Sequence, residues 1–165
     1  MIPDYRSILT ALDDNEVDFV VIGAVALVLH GSARVTRDLD ICYSRDRANV
    51  ERLATALKPF RPTLRGAPEN LPFTLDVATL QAGLNFTLRS LAGDLDLLGE
   101  VTGIGMYPAV RRMSQVMKVY DRDVRVLSLD GLERAKRAAG RLKDLVDLAE
   151  ILEIRRLQTD RGQPT

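Results

Sequence analysis

Several features that would place the chain in a special structural class are missing from its 165 residues. It contains one cysteine, Cys42, which excludes an internal disulfide framework and suits a reducing cytoplasm. Tryptophan is absent and aromatic residues make up 5%, so no stacking platform for single-stranded nucleic acid is evident. These absences favour an ordinary cytoplasmic globular protein.

The chain also lacks a long apolar run and an excess of either charge. The longest apolar run, from Phe19 to Leu29, is interrupted by Gly23 and is too short to cross a bilayer. Residues 1–16 show no basic start followed by an apolar core, so no signal peptide is expected. Lys plus Arg equals Asp plus Glu at 23 each, so net charge by itself says nothing about a nucleic-acid partner.

The composition is that of a globular protein with one hydrophobic core, because 46% of the residues are hydrophobic and 28% are charged. The periodicity predicts a single α+β domain over residues 1–157, a mixed sheet packed with helices and followed by a helical C-terminal part. The polar tail, 158–165, is predicted to be disordered. Predicted helices are 4–15, 24–29, 44–57, 129–139 and 142–156, with Ser44 and Ser128 as N-caps. Predicted strands are 17–22, 38–43, 74–77, 84–88, 95–98, 115–120 and 124–127. Residues 61–71 contain two prolines and a glycine and are predicted to be a loop.

The segment from Val21 to Tyr43 carries the most chemical information. Gly23 allows a tight turn from a strand into a short helix, whose first N–H groups are unpaired and suit a triphosphate. Asp38 and Asp40 then alternate along a strand, so both project from one face while the intervening residues enter the core. Two carboxylates about 7 Å apart repel each other unless a cation lies between them, and hard oxygen ligands favour Mg²⁺.

A third acid is needed to hold two metal ions. The alternating segment from Gly93 to Leu98 supplies Asp94 and Asp96 on one strand face. Two ions about 3.5–4 Å apart can activate an attacking hydroxyl and neutralise a departing pyrophosphate. Phosphoryl transfer needs mainly positioning and charge neutralisation, so no covalent nucleophile is required.

These motifs resemble the DNA polymerase beta-type nucleotidyltransferase superfamily. Its signature is a hydrophobic-Gly-Gly/Ser turn, nine to thirteen residues, Asp-hydrophobic-Asp/Glu, and a later acid. Here the turn is Ile22-Gly23-Ala24, and Val25 to Arg37 separate it from Asp38-Leu39-Asp40. More narrowly, residues 17–155 resemble the AbiEii-type and MenT-type nucleotidyltransferases of toxin–antitoxin systems. The resemblance implies a nucleotidyltransferase fold, and it selects Asp96 over Asp94 because the family's third acid precedes Leu-Leu.

The resemblance also implies a set of nucleotide-binding residues. These are Gly23, Ala24, Arg34, Thr36, Lys136, Arg141, Lys143 and Asp144, beside Asp38, Asp40 and Asp96 as the catalytic and metal-binding acids. Ala24 departs from the pattern, because the family has Gly or Ser there and a serine would offer its hydroxyl to a phosphate. The backbone N–H of Ala24 remains, so triphosphate binding is expected to be weakened and not abolished.

The leading hypothesis is transfer of a nucleoside monophosphate from an NTP to an acceptor hydroxyl, with Mg²⁺ as cofactor, as two ions. In toxin relatives the acceptor is a tRNA 3′ end or a protein, and an antitoxin protein is the implied partner. A second enzymatic interpretation is small-molecule modification, as in aminoglycoside or lincosamide nucleotidyltransferases. A third is a catalytically degenerate domain that binds a nucleotide or a partner, which the alanine at position 24 supports.

Other polar side chains in these segments have simpler structural interpretations. His30 suits a helix end, where it caps carbonyl groups, and Cys42 suits a packed position. Asp147 and Glu150 are predicted to be solvated. The basic residues of the C-terminal part fit phosphate contact and a solvated helix face about equally; they are Arg134, Lys136, Arg137, Arg141, Lys143, Arg155 and Arg156.

The resemblance yields a test of the basic segment. Lys136→Ala is expected to weaken NTP binding about tenfold or more, the loss of one charge-assisted contact of about 1.5–3 kcal/mol. Neutralising Arg155 or Arg156 should change binding very little. Calorimetric titration with a non-hydrolysable NTP and Mg²⁺ measures the three affinities, and equal affinities for the wild type and Lys136→Ala would make this segment a solvated face.

Overall fold

The computed structural model describes residues 2–162 of the chain. Its helices in chain order are α1 (Tyr5–Asp14), α2 (Gly23–Leu29), α3 (Arg47–Leu57), α4 (Val77–Ala82), α5 (Tyr107–Arg112), α6 (Leu129–Ala139) and α7 (Leu142–Gly162). A 3₁₀ turn, Lys58–Phe60, follows α3. The strands are β1 (Phe19–Ile22), β2 (Asp38–Tyr43), β3 (Thr63–Leu64), β4 (Asn85–Ser90), β5 (Gly93–Leu98), β6 (Glu100–Val101), β7 (Gly105–Met106), β8 (Ser114–Val119) and β9 (Arg122–Leu127).

The main sheet is mixed, as the sequence predicts, and its order over the described residues is β3-β4-β5-β2-β1-β9-β8. Strand β2 lies at its centre, antiparallel to β1 and parallel to β5. Strand β4 is antiparallel to both of its neighbours, β3 and β5, and β8 pairs antiparallel with β9. The short strands β6 and β7 form a separate ladder. The predicted α+β class is therefore confirmed.

Strand β2 divides the core from the polar face of the sheet. Leu39, Ile41 and Tyr43 are fully buried, as their alternation predicts, while Asp38 and Asp40 are partly exposed on the opposite face. The core then continues into α1, whose buried face is formed by Ile8, Leu9 and Leu12. This central strand therefore holds two aspartates on a rigid element beside a packed core.

The helix ends follow ordinary capping chemistry. The Asp4 carboxylate accepts a hydrogen bond from the amide of Ser7 at the start of α1. Ser128 caps α6 through the amide of Gly131, as predicted, and Gly140 ends this helix in the left-handed conformation. The β8–β9 hairpin turns at Tyr120 and Asp121, which both have positive φ, the pattern of a two-residue turn.

Several predicted boundaries are wrong. Residues 74–77 are not a strand, because the Asp76 carboxylate accepts from the amide of Thr79 and begins α4. Helix α3 begins after Asp46, not Ser44, and β3 lies inside the predicted 61–71 loop. The sequence did not predict α5. Helix α7 continues through residue 162, so residues 158–162 of the predicted disordered tail are helical, and 163–165 lie outside the described residues.

In the described part of the chain, no helix has both the length and the apolar character needed to span a bilayer. Helix α7, at 21 residues, carries acidic and basic side chains throughout its length.

Candidate active site

The turn from β1 into α2 forms one wall of a cleft of about 490 Å³. Gly23 has a φ of +65°, which confirms the predicted tight turn. A Cβ atom at this position would lie 2.1 Å from Oδ2 of Asp40. The N-cap residue, Ile22, makes no side-chain cap, so the first N–H groups of α2 remain for a ligand. The missing side chain at position 23 therefore serves the turn and also makes room for Asp40.

The acids form two rows across the sheet. Strand β2 pairs with β5 so that Asp38 is opposite Asp94 and Asp40 is opposite Asp96. Paired residues of neighbouring strands project from the same face, about 4.8 Å apart. Asp38, Asp40 and Asp96 line the cleft, whereas Asp94 is not among its lining residues. Asp96 therefore lies beside Asp38 and Asp40 in the cleft, as it must if Asp96 and not Asp94 is the third acid of the site.

The charge of this cluster is only partly compensated. Burial, followed by repulsion from Asp96 and Asp38, raises the pKa of Asp40 to about 7. Burial also raises the pKa of Asp96, with Asp38 adding to the effect and the Arg65 guanidinium opposing it. The cluster therefore disfavours its own full ionisation and attracts cations.

Arg65 is a residue that sequence reasoning missed. Its Nη2 atom lies 2.7 Å from Oδ1 of Asp96, and its Nη1 atom lies 3.2 Å from Oδ2 of Asp94 and 3.9 Å from Oδ2 of Asp38. No local signal marks this arginine, because it follows the two-residue strand β3 in a segment predicted as a loop. Pairing of β3 with β4 carries it to the acids.

The opposite wall of the cleft carries cations, several of which are already paired. Nζ of Lys136 lies 2.7 Å from Oδ2 of Asp147 and 3.4 Å from Oδ1 of Asp144. Arg34 forms ion pairs with both Asp147 and Glu150. The prediction that Asp147 and Glu150 are solvated is therefore wrong, because they hold the predicted phosphate-binding cations in place.

Ten of the eleven predicted site residues line this one cleft. They are Gly23, Ala24, Arg34, Thr36, Asp38, Asp40, Asp96, Lys136, Arg141 and Lys143. Asp144 is the exception: its side chain is 1% exposed and accepts hydrogen bonds from the backbone N–H and guanidinium of Arg141. These bonds hold the pKa of Asp144 at about 2. Asp144 therefore stabilises the start of α7 from a buried position.

Cys42 has the packed position predicted for it, and His30 lies at a helix end as predicted, but its ring bonds a carbonyl group of another element and not one of its own helix. Nε2 of buried His30 donates to the carbonyl oxygen of Leu127, 2.8 Å away, and so ties the end of α2 to the end of β9. Cys42 is fully buried, and burial raises the pKa of its thiol to about 12. Neither side chain lines the cleft.

Of the carboxylates that line the cleft, Asp38, Asp40 and Asp96 are suited to a metal ion, because Asp147 is already paired with Arg34 and Lys136. Within residues 2–162, no group of three or more His, Cys, Asp or Glu side chains converges closely enough to hold an ion. Asp38, Asp40 and Asp96 therefore form an open set, which rotation of their side chains has to close around a cation. Their hard oxygen atoms and only partly compensated negative charge suit Mg²⁺.

No protein-family model matches the chain, and no curated protein sequence matches it. Solved structures do match. A candidate nucleotidyltransferase from Thermotoga maritima is 16% identical, with a TM-score of 0.58 over 90% of each chain. Lincomycin-bound lincosamide antibiotic adenylyltransferase LnuA is 15% identical, with a TM-score of 0.60 over 93% of this chain and 99% of its own.

A third solved structure, ANT(2″)-Ia in complex with adenylyl-2″-tobramycin, is 14% identical, with a TM-score of 0.54 over 96% of this chain and 97% of its own. The chain therefore has the nucleotidyltransferase fold, as the sequence predicts. The narrower resemblance to toxin nucleotidyltransferases stays a prediction.

The close approach of Gly23 to Asp40 can be tested with a matched pair of glycines. Gly23 and Gly140 have nearly the same φ, +65° and +63°. A Cβ atom at Gly140 meets no atom closer than 3.9 Å. Gly140→Ala should therefore cost only the backbone strain, about 1–2 kcal/mol, whereas Gly23→Ala adds a clash with Asp40. Urea unfolding measures both, and equal losses would contradict the close packing.

The role of Asp144 gives a pH dependence. Asp144→Asn should lower the free energy of unfolding at pH 7 by about 1–3 kcal/mol, because Arg141 and Lys136 lose the buried carboxylate with which they pair. The folded pKa, about 2, lies below the ordinary value of about 3.9. This stabilisation is therefore complete above about pH 5 and is lost as the pH falls towards 2.

Urea unfolding of the wild type and Asp144→Asn at pH 7 and pH 3 measures this effect. The difference between the two proteins should shrink at the lower pH. Asp160→Asn is the control, because Asp160 is an exposed partner of Arg156. A difference that does not change with pH would contradict an ionised, hydrogen-bonded Asp144.

Proposed function

We propose that the protein is a magnesium-dependent nucleotidyltransferase, which moves a nucleoside monophosphate from an NTP to an acceptor hydroxyl. One observation carries the proposal: three carboxylates, the start of α2 and a group of cations line a single cleft. The nucleotidyltransferase fold of the chain supports it.

One part of the cleft would bind divalent cations, and another part would bind the triphosphate. Asp38, Asp40 and Asp96 would hold divalent cations, which supply charge neutralisation at the reacting phosphate and activation of the acceptor hydroxyl. The N–H groups at the start of α2, together with Lys136, bind the triphosphate. The hydroxyl oxygen forms a bond to the α-phosphorus, the bond to the bridging oxygen breaks, and pyrophosphate leaves. A carboxylate of the cluster accepts the hydroxyl proton.

Ion pairs within the chain hold the basic side chains at the cleft before a triphosphate binds. Asp147 lies between Arg34 and Lys136, and the salt-bridged partners are only 10–28% exposed. A triphosphate competes with Asp147 for Lys136, so binding costs part of an existing ion pair. Arg141 and Lys143 reach the same cleft from α7 and its preceding turn. Together these cations compensate for the hydroxyl that Ala24 lacks.

The family resemblance and the matched structures point to two different classes of acceptor for the nucleoside monophosphate. The resemblance to toxin nucleotidyltransferases favours a tRNA 3′ end, with an antitoxin protein as partner. The matched structures favour a small antibiotic, because LnuA was solved with lincomycin and ANT(2″)-Ia with adenylyl-2″-tobramycin. The two classes are distinguished by incubating the protein with each α-labelled NTP, Mg²⁺ and, in separate reactions, total tRNA, lincomycin or tobramycin.

The proposal predicts the effect of removing one acid. Asp38→Ala or Asp40→Ala should lower transfer to the active acceptor about 100-fold or more, because metal coordination contributes several kcal/mol to the transition state. The fold should be retained or become more stable, since repulsion within the cluster is relieved. Asp123→Asn is the control, because Asp123 is an exposed hairpin residue paired with Lys118.

Retained transfer by Asp38→Ala would remove the proposed metal site. Absence of transfer by the wild type with every NTP and acceptor would favour the degenerate binding domain that Ala24 suggests.

A further inference from the structure

Arg65 belongs to the same row of the sheet as two of the cleft acids. Its amide donates to the carbonyl oxygen of Thr87, 2.9 Å away, which extends the pairing of β3 with β4. Thr87 is opposite Asp96, and Asp96 is opposite Asp40. The row therefore runs from Arg65, just beyond the end of β3, through Thr87 of β4 and Asp96 of β5 to Asp40 of β2, with all four residues at positions of one face.

The guanidinium of Arg65 reaches over Thr87 into the acid cluster. It donates a 2.7 Å hydrogen bond to Oδ1 of Asp96 and lies within 4 Å of the carboxylates of Asp94 and Asp38. The side chain is 22% exposed, and its buried Nη1 atom has no well-directed hydrogen bond among the described residues. The contact with Asp96 is thus the main anchor of an otherwise incompletely satisfied group.

A second arginine on the same face provides a contrast. Arg89 lies opposite Asp94 in the neighbouring row, and its Nε atom is 3.8 Å from Oδ1 of that residue. Its side chain is 67% exposed, and its recorded ion pair is with Asp94, outside the cleft lining. Within residues 2–162, Arg65 is therefore the arginine of this face that pairs with Asp38 and Asp96.

A guanidinium and a divalent cation compete for the same carboxylate oxygen atoms, because two positive charges held against one acid repel each other. We propose that Arg65 is a built-in counter-ion of the metal site: it neutralises the acids in the absence of metal and must release Asp96 when a divalent cation binds. Arg65 acts through Asp96 and is therefore a positioning residue that sets the cation affinity. This inference rests on the proposed function, because it requires that the acids bind a divalent cation.

The competition explains two properties of the site together. Backbone pairing of β2 with β5 keeps the acids in register without an ion, and the positive charge of Arg65 offsets part of their repulsion. They also do not converge into a closed metal site in this arrangement, in which Arg65 contacts Asp38 and Asp96 at once. When a divalent cation replaces the guanidinium, it neutralises the carboxylates and allows them to converge around it.

The test is Mn²⁺ binding to the nucleotide-free full-length protein, followed by isothermal calorimetry and by the electron paramagnetic resonance of free Mn²⁺. Arg65→Gln should bind Mn²⁺ about tenfold more tightly than the wild type, the effect of removing one competing charge-assisted contact. Arg65→Lys retains the charge without the forked geometry and should lie between the two. Arg89→Gln is the matched control and should equal the wild type.

Thermal unfolding supplies a second measurement on the same proteins. Without metal, Arg65→Gln should unfold at a lower temperature than the wild type, because the acids lose their counter-ion. Saturating Mn²⁺ should raise its unfolding temperature by more than it raises that of the wild type. Arg65→Lys tests the same order of affinities if Arg65→Gln does not fold.

The outcomes separate the inference from the proposed function. Wild-type binding of Mn²⁺ with equal or weaker binding by Arg65→Gln overturns the inference alone, because Arg65 then supports the site or is irrelevant to it. Binding by Arg65→Gln and not by the wild type supports the inference in its strongest form. No Mn²⁺ binding by any of the proteins overturns both the inference and the proposed metal site.

Discussion

Mutual repulsion among carboxylates held in register is the constraint around which the rest of this structure is organised. Strands β2 and β5 place Asp38, Asp40 and Asp96 on one rigid face, where backbone pairing prevents them from separating. The cost is visible in the raised pKa of Asp40, which burial and the neighbouring acids cause together. Such an arrangement is stabilised by protonation of Asp40 or by positive charge, which comes from the chain itself or from a bound cation.

The chain supplies positive charge from two sides. On one side, the guanidinium of Arg65 enters the cluster from the edge of the sheet. On the other side, Lys136 of α6 opposes the rise in the pKa of Asp40 through its positive charge. The same lysine is paired with Asp147 of α7. The C-terminal helices are therefore electrostatically linked to the sheet, and a ligand that brings both cation and phosphate can replace these internal pairs.

The features predicted correctly from the sequence depend on local patterns. Alternation in β2 defined which residues enter the core, and the interval between Gly23 and Asp38 brought the helix start and the acids to one cleft. Most predicted nucleotide-binding residues also line that cleft, although their selection came from the family resemblance. Their roles as ligands stay predictions.

The features that were missed depend on tertiary contacts. Arg65 reaches the acids only because β3 joins the sheet beside β4, and a two-residue strand leaves no periodic signal. Asp147 and Glu150 have the spacing of a solvated helix face, yet α7 turns them towards Arg34 and Lys136. The wrong strand at 74–77 has a local cause, since the capping bond of Asp76 outweighs the β propensity of its neighbours.

The central claim is that these acids and cations together form a site for a divalent cation and a nucleoside triphosphate. The most direct measurement is anomalous X-ray diffraction from crystals containing Mn²⁺ and a non-hydrolysable NTP. The account predicts an anomalous peak among Asp38, Asp40 and Asp96, with the triphosphate between the start of α2 and Lys136. Ordered nucleotide elsewhere, or Mn²⁺ bound at other carboxylates with this cluster still paired to Arg65, would contradict it.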